Sequence, residues 1–138
     1  MSLFGALPIT QSGMEVSQTW LDALSGNIAN SNDTVAANQP VYQEVYVNVA
    51  PLAPTQTPGE LPAGQGATVS SLTFGSSAGT LAYEPTNPLA NGQGLVKVAN
   101  VNLSDQLVGS VMAQTDYAAN VAMNQRAEAA YKSALTIA

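Results

Sequence analysis

No cysteine and no histidine occur in this chain of 138 residues. The first absence removes disulfides, thiolate zinc sites and a cysteine nucleophile. The second removes the commonest general base and the commonest metal ligand. Positive charge is nearly missing as well: Lys97, Arg126 and Lys132 face nine acids, the net charge is −6, and no base precedes residue 97. Gripping a phosphate backbone takes clustered Lys and Arg, so nucleic acid is excluded as a partner. Charged residues of both signs reach only 9 %, against about a quarter in ordinary soluble domains. Asn, Gln, Ser and Thr carry the polarity instead, and such a surface repels itself weakly and suits packing into an assembly. No apolar run approaches the roughly twenty residues of a membrane span. The opening M-S-L-F-G-A-L-P-I-T lacks a basic flank and is interrupted by Pro8, so it is a poor secretory signal. We expect any route out of the cytoplasm to use no cleaved signal.

The residues that are present fall into three parts: 1–35, 36–100 and 101–138. In the first, Leu7, Met14, Leu21 and Ile28 recur every seven residues, with Leu24 on the companion position. That is the narrow seam of a coiled coil. Thr10 and Ser17 interrupt the companion row, and Trp20 adds a large apolar face beside it. The pattern predicts a helix starting between Pro8 and Ser12 and ending near Asn30, where Asn30, Asn32 and Asp33 supply stop and turn chemistry.

The middle part holds most of the Pro and Gly and changes period. Val41, Val45, Val47 and Val49 alternate, which predicts a strand from Val41 to Val49 bounded by Pro40 and Pro51. Residues 50–66 read as a Pro- and Gly-rich loop. Short strands are expected at Thr68–Phe74, Thr80–Tyr83 and Leu95–Val98, with the turn-rich E-P-T-N-P-L-A-N-G-Q-G before the last. In the third part Asn102 is a helix N-cap with Asp105 behind it. Leu107, Val108, Val111, Met112, Ala118, Ala119, Ala122, Met123, Ala129, Ala130 and Leu135 then keep helical spacing, and Lys132 is placed to complement the helix C-terminus. The expected fold is mainly α with a small β-rich insert: the N- and C-terminal helices pair as a coiled coil, and the middle is irregular or β.

No constellation for catalysis emerges. Asp105, Asp116 and Glu128 are spaced about three helical turns apart, too far to share one acid–base site. Gly92-Gln93-Gly94 has no lysine at phosphate-loop spacing and reads as a turn. We expect no catalytic residue, no cofactor and no metal site.

The segment L-D-A-L-S-G-N-I-A-N-S-N at Leu21 to Asn32, followed by an extended Tyr-containing stretch, resembles the signature of the bacterial flagellar rod and hook axial protein family. Y-E-P-T-N-P-L-A-N-G-Q-G-L-V-K-V-A-N-V-N-L-S-D-Q-L at Tyr83 to Leu107 is similar to the proximal-rod branch. So is Tyr117-Ala118-Ala119-Asn120 in the closing helix. The chain departs from the family in having D-T-V-A-A-N-Q-P-V-Y where many axial proteins have a T-P-G-Y turn, and in a closing helix with few charges. The resemblance implies a structural, non-enzymatic subunit that polymerises through its terminal helices into the hollow drive shaft needed for motility. Implied partners are copies of itself, other proximal and distal rod proteins, basal-body ring and export-gate components, and the type III export apparatus during secretion. The implied location is the periplasm-spanning rod of the basal body.

On the first helix the expected assembly interface comprises Met14, Trp20, Leu21, Leu24, Asn27 and Ile28. On the closing helix it comprises Leu107, Val111, Met112, Ala118, Asn120 and Ala122. Asn27 is expected to hydrogen-bond across subunits and set register, whereas Asn30 and Asn32 are expected to cap. The competing reading is a secreted, non-enzymatic binding module whose two helices close as an intramolecular hairpin.

Overall fold

The computed structural model describes residues 3–52 and 64–137, with the side chains of residues 3–5 and 137 excepted. Most of the loop expected over 50–66, and the first two residues, lie outside the described residues. Two long terminal helices enclose a small antiparallel β middle.

Helix α1 runs over Leu3–Ala29 and contains Pro8, so it begins before the expected Pro8–Ser12 start. Proline removes one i→i−4 bond and crowds the carbonyl four residues back. Here that carbonyl belongs to Phe4, in the first turns, where little helix precedes it to be disrupted. At the other end, Asn30 N and Asn30 Nδ2 both donate to Gly26 O (3.1 and 2.8 Å), and Ser31 Oγ donates to Ile28 O (2.9 Å). These bonds use carbonyls that a helix end leaves unpaired, which is the capping expected of Asn30. Among the described residues the Asn32 side chain makes no such bond. It is exposed, and its carbonyl accepts from Thr34 Oγ1 (3.2 Å).

The middle contains two sheets. Strand β1 (Thr34–Ala36) pairs with β5 (Leu95–Val98), which pairs with β4 (Thr80–Tyr83), all antiparallel. Strands β2 (Val45–Pro51) and β3 (Ala67–Phe74) form a separate antiparallel pair with an irregularity at Asn48/Val49. Three strands lie within a residue of the sequence reading; the other two correct it. β1 was not foreseen, because three residues carry no readable alternation. β2 starts at Val45, not Val41, because residues 41–44 spend their backbone groups singly. Val41 N donates to Ser77 O (3.4 Å), Tyr42 N to Asp33 Oδ2 (3.2 Å), and Glu44 O accepts from Gly75 N (2.8 Å). Val41 is instead a core residue, buried beside Gly79, while Val96 at the centre of the three-stranded sheet is fully buried.

Helix α2 covers Leu103–Ile137. Asn102 Oδ1 accepts from Ser104 N (3.0 Å), the bond expected of an N-cap, and Asp105 is the acid of the first turn. No base occupies the last turn. Lys132 stands one turn too early for the role expected of it, since the dipole effect fades within a turn.

The two helices pack antiparallel. Thr10 Oγ1 lies 3.0 Å from Asn124 Oδ1, Asn27 Nδ2 donates to Gln106 Oε1 at 2.9 Å, Gly13 abuts Asn120, and Gly109 abuts Leu24. Progress up α1 is thus matched by progress down α2. The β2–β3 pair lies along α1: Val45 bonds Asn27, while Ala67 N donates to Ser12 Oγ (3.2 Å). A seven-residue strand is about 23 Å long, and the helix between Ser12 and Asn27 rises about 22 Å.

Gly79 has φ +58°, and a Cβ there would sit 2.6 Å from both Val41 Cγ1 and Val98 O. We expect Gly79→Ala to cost at least about 1–2 kcal/mol from its left-handed backbone alone, with the contact to a strand carbonyl adding to it. Thermal unfolding followed by circular dichroism checks this, and an unchanged midpoint would count against the packing described.

Candidate functional site: a polar hub, a groove and an outward apolar face

The candidate site begins at Asn27, which is 1 % exposed. A carboxamide offers two donors and an acceptor with two lone pairs, and here all are used. Nδ2 donates to Val45 O (2.9 Å) and Gln106 Oε1 (2.9 Å), while Oδ1 accepts from Val45 N (2.8 Å) and Tyr42 Oη (3.0 Å). Gln106, also buried, passes the network on by donating Nε2 to Glu44 Oε1 (2.7 Å). One side chain therefore joins α1, α2 and the start of β2. Among the described residues no buried side-chain polar atom lacks a partner, so the network is a satisfied one.

Glu44 shapes the titration of its neighbours. Burial, then the Glu44 charge, pushes the Tyr42 phenol up, partly offset by a hydrogen bond with Asn30. The Tyr46 phenol is raised first by its hydrogen bond to Glu44, then by burial and the same charge.

Beside the hub lies an open groove of about 410 Å³. Trp20 and Leu24 of α1, Val45 and Val47 of β2, and Gly109 of α2 form its apolar lining, with Glu44 and Asp105 also lining it.

The seam between the helices is made of small and polar residues. Apart from Leu24, the buried residues are of that kind: Thr10, Ser17 and Asn27 on α1, Ser31 just past its end, and Gln106, Gly109, Ala113 and Ala127 on α2. The opposite side of α2 is apolar and open to solvent: Val111 is 63 % exposed, and Leu107, Val108 and Met112 are exposed too.

Against this geometry the expected interface residues divide into three groups. Leu24, Asn27 and Asn120 lie in the intramolecular seam. Met14, Trp20, Leu21 and Ile28 are half-buried on α1. Leu107, Val111, Met112, Ala118 and Ala122 are exposed on α2. Gln106, Tyr42 and the two seam glycines were not singled out from sequence. The available signal was the companion row Thr10, Ser17 and Leu24, whose polar members mark where a polar seam runs. Among the described residues there is no group of three or more His, Cys, Asp or Glu arranged to hold a metal ion. Nor is any helix long and apolar enough to cross a membrane.

No protein-family model matches the chain. Among curated proteins it is similar to the flagellar basal-body rod protein FlgC of Bacillus subtilis (strain 168), at 32 % identity over 137 residues, covering 90 % of this chain and 91 % of the relative. It is 30 % identical over 122 residues to that of Salmonella typhimurium, covering 88 % and 87 %. With that of Borreliella burgdorferi it shares 28 % over 149 aligned positions, covering 99 % and 98 %.

Removing the Asn27 side chain would leave Val45 N, Val45 O, Tyr42 Oη and Gln106 Oε1 without their partner. Asn27→Ala is expected to cost about 3 kcal/mol or more, read as a lowered urea midpoint by the fluorescence of Trp20. Asn27→Asp faces two acceptor oxygens it cannot satisfy when ionised, so its folded-state pKa must rise. Its stability should then be greatest in acid and fall as pH rises through that value. In the unaltered chain Tyr42 and Tyr46 titrate higher folded than unfolded. Their contribution is whole below the unfolded value of about 10 and lost as pH rises past the folded ones. Phenolate absorbance and the unfolding midpoint should therefore change together only in strong alkali.

Proposed function

Since the chain belongs to the FlgC family of flagellar basal-body rod proteins, we propose that it polymerises, through the outward faces of its terminal helices, into the shaft of the rod. Family membership makes it a structural protein of the basal body and not an enzyme. The finer reading concerns how it assembles. Residues 1–35 and 101–138 act as one discontinuous helical core, paired as a coiled coil, and residues 36–100 form the layer outside it.

The observation that carries this reading is the inverted α2. A helix in a self-sufficient domain turns its apolar stripe inward, whereas α2 keeps small and polar residues against α1 and exposes Leu107, Val108, Val111 and Met112. Full burial of such a side chain contributes about 1.5–3 kcal/mol, so covering the half that is exposed on each offers roughly 1 kcal/mol apiece toward association. Leu107, Val111, Met112, Ala118 and Ala122, with the half-buried Met14, Leu21 and Ile28, are the residues we assign to that contact. Asn27 supports it from within, because its hydrogen-bonding capacity is already spent inside the chain. Partners of the helical core would be further copies and other rod proteins, reached after export without a cleaved signal by the type III apparatus.

The alternative, a binding module with a closed hairpin, draws on the same intramolecular pairing. It gives no reason for an apolar outer face, and it requires a monomer that stays monomeric as concentration rises.

Leu107→Asp and Val111→Asp are expected to leave the isolated chain's stability within about 0.5 kcal/mol, as exposed substitutions do, while abolishing incorporation into rods. The check is fractionation of basal bodies and swimming in cells whose only copy is the variant. Wild-type swimming by either variant would remove these residues from the interface.

A further inference from the structure

We propose that the turn between β4 and β5 accelerates the conversion of its own Asn91 to aspartate and isoaspartate, which makes Asn91–Gly92 a self-modifying site. The reaction goes beyond the rod-subunit role and does not depend on it.

Asn91 opens the turn that leads into β5. Its main chain closes that turn, with Asn91 N donating to Leu95 O (3.0 Å) and Gly94 N to Asn91 O (2.9 Å). Its side chain is held separately: Oδ1 accepts from Gln93 N (2.9 Å) and from Leu95 N (3.0 Å). Gly92 follows, exposed like Asn91, with open space where a Cβ would stand. Among the described residues neither Gly92 N nor Asn91 Nδ2 makes a hydrogen bond. Three other asparagines accept a main-chain N–H at the side-chain oxygen, and each lacks a part of this arrangement. Asn27 is followed by Ile28 inside α1, where the helix holds the N–H. Asn87 is followed by Pro88, which has no N–H to lose. Asn102 has a single main-chain donor, Ser104 N, and is followed by the bulky Leu103.

The reaction is an acyl transfer within the chain. Gly92 N loses its proton to hydroxide and attacks Asn91 Cγ, a neighbour that it meets without a bimolecular encounter. The electron pair of the Cγ carbonyl moves on to Oδ1, where the two N–H groups of Gln93 and Leu95 already point. Donors fixed on the oxygen that gains charge are the largest source of rate in such steps. As the pair returns, the Cγ–Nδ2 bond breaks, and the nitrogen takes a proton from water and leaves as ammonia. The product is a five-membered imide. Water then opens it, at Cγ to give aspartate or at the main-chain carbonyl to give isoaspartate. One water enters, one ammonia leaves, and nothing is oxidised or reduced. Aspartate keeps both N–H partners on a carboxylate, where such bonds are shorter and stronger. Isoaspartate inserts a methylene into the main chain where β5 is entered. Either product adds one negative charge to the −6 of the chain.

The test compares one purified full-length chain in two states, folded in mildly alkaline buffer and unfolded in guanidinium chloride at the same pH and temperature. Peptide mapping by mass spectrometry follows the gain of one mass unit at Asn91, and enzymatic methylation of isoaspartate separates the two products. Conversion at least fivefold faster in the folded chain, with both products formed, is the expected result. Equal or slower conversion in the folded chain overturns the proposal, because the turn then protects the carboxamide. Aspartate without isoaspartate also overturns it, because water has then attacked Cγ directly. Gly92→Ala has room for its Cβ and needs no left-handed backbone. It should keep the unfolding midpoint and slow the conversion several-fold, and an unchanged rate would sink the idea as well.

Discussion

The arrangement of the whole chain depends on one buried carboxamide. Asn27 joins the end of α1, the first turns of α2 and the first residue of β2, segments far apart in sequence. Each bond is worth only about 1 kcal/mol net, but the partners are not interchangeable. A slide of α1 by one residue would strand two backbone groups of Val45 and a buried Gln106 at once. The hub therefore adds less to total stability than to uniqueness, because it penalises every alternative alignment of three elements.

That restriction explains how a chain so poor in charge and so rich in exposed apolar surface has one defined shape. A seam built from Leu and Ile would hold the helices more strongly but would tolerate several registers and consume the residues now facing out. With Thr10, Ser17, Ala113 and Ala127 inside, the apolar side chains remain available for neighbours. The division of labour is between polar contacts that specify the fold of one chain and apolar contacts available to join chains.

Much of this was legible in the residues. Asn102 announced the start of α2 through its capping chemistry, and strands β3, β4 and β5 were visible from β-branched runs set between glycines and prolines. The two asparagine-rich motifs pointed to the family. What stayed hidden had physical causes. Pro8 reads as a helix boundary, yet the cost of a proline falls away where little helix lies ahead of it. Val41 to Glu44 has strand composition, but its backbone partners come singly from Ser77, Asp33 and Gly75. On α1 the row Thr10, Ser17 and Leu24 is buried while the more apolar row Leu7, Met14, Leu21 and Ile28 is half-buried, an order that hydrophobic periodicity alone does not give. Nothing in the residues flanking Asn27 states that its partners lie at residues 42, 45 and 106. Long-range polar contacts leave no local pattern.

The paired glycines have a mechanical consequence. Gly13 of α1 gives room to Asn120, and Gly109 of α2 gives room to Leu24, so each helix carries one notch and one tooth. The notches lie about three turns apart along the pair and open from opposite sides. Sliding in either direction drives a side chain into backbone, and the stop is steric, not electrostatic. A joint keyed in this way resists shear equally in dilute and concentrated salt, and at any pH that leaves the fold intact. The stiffness of the helical pair along its length is then set by the two smallest residues in the seam.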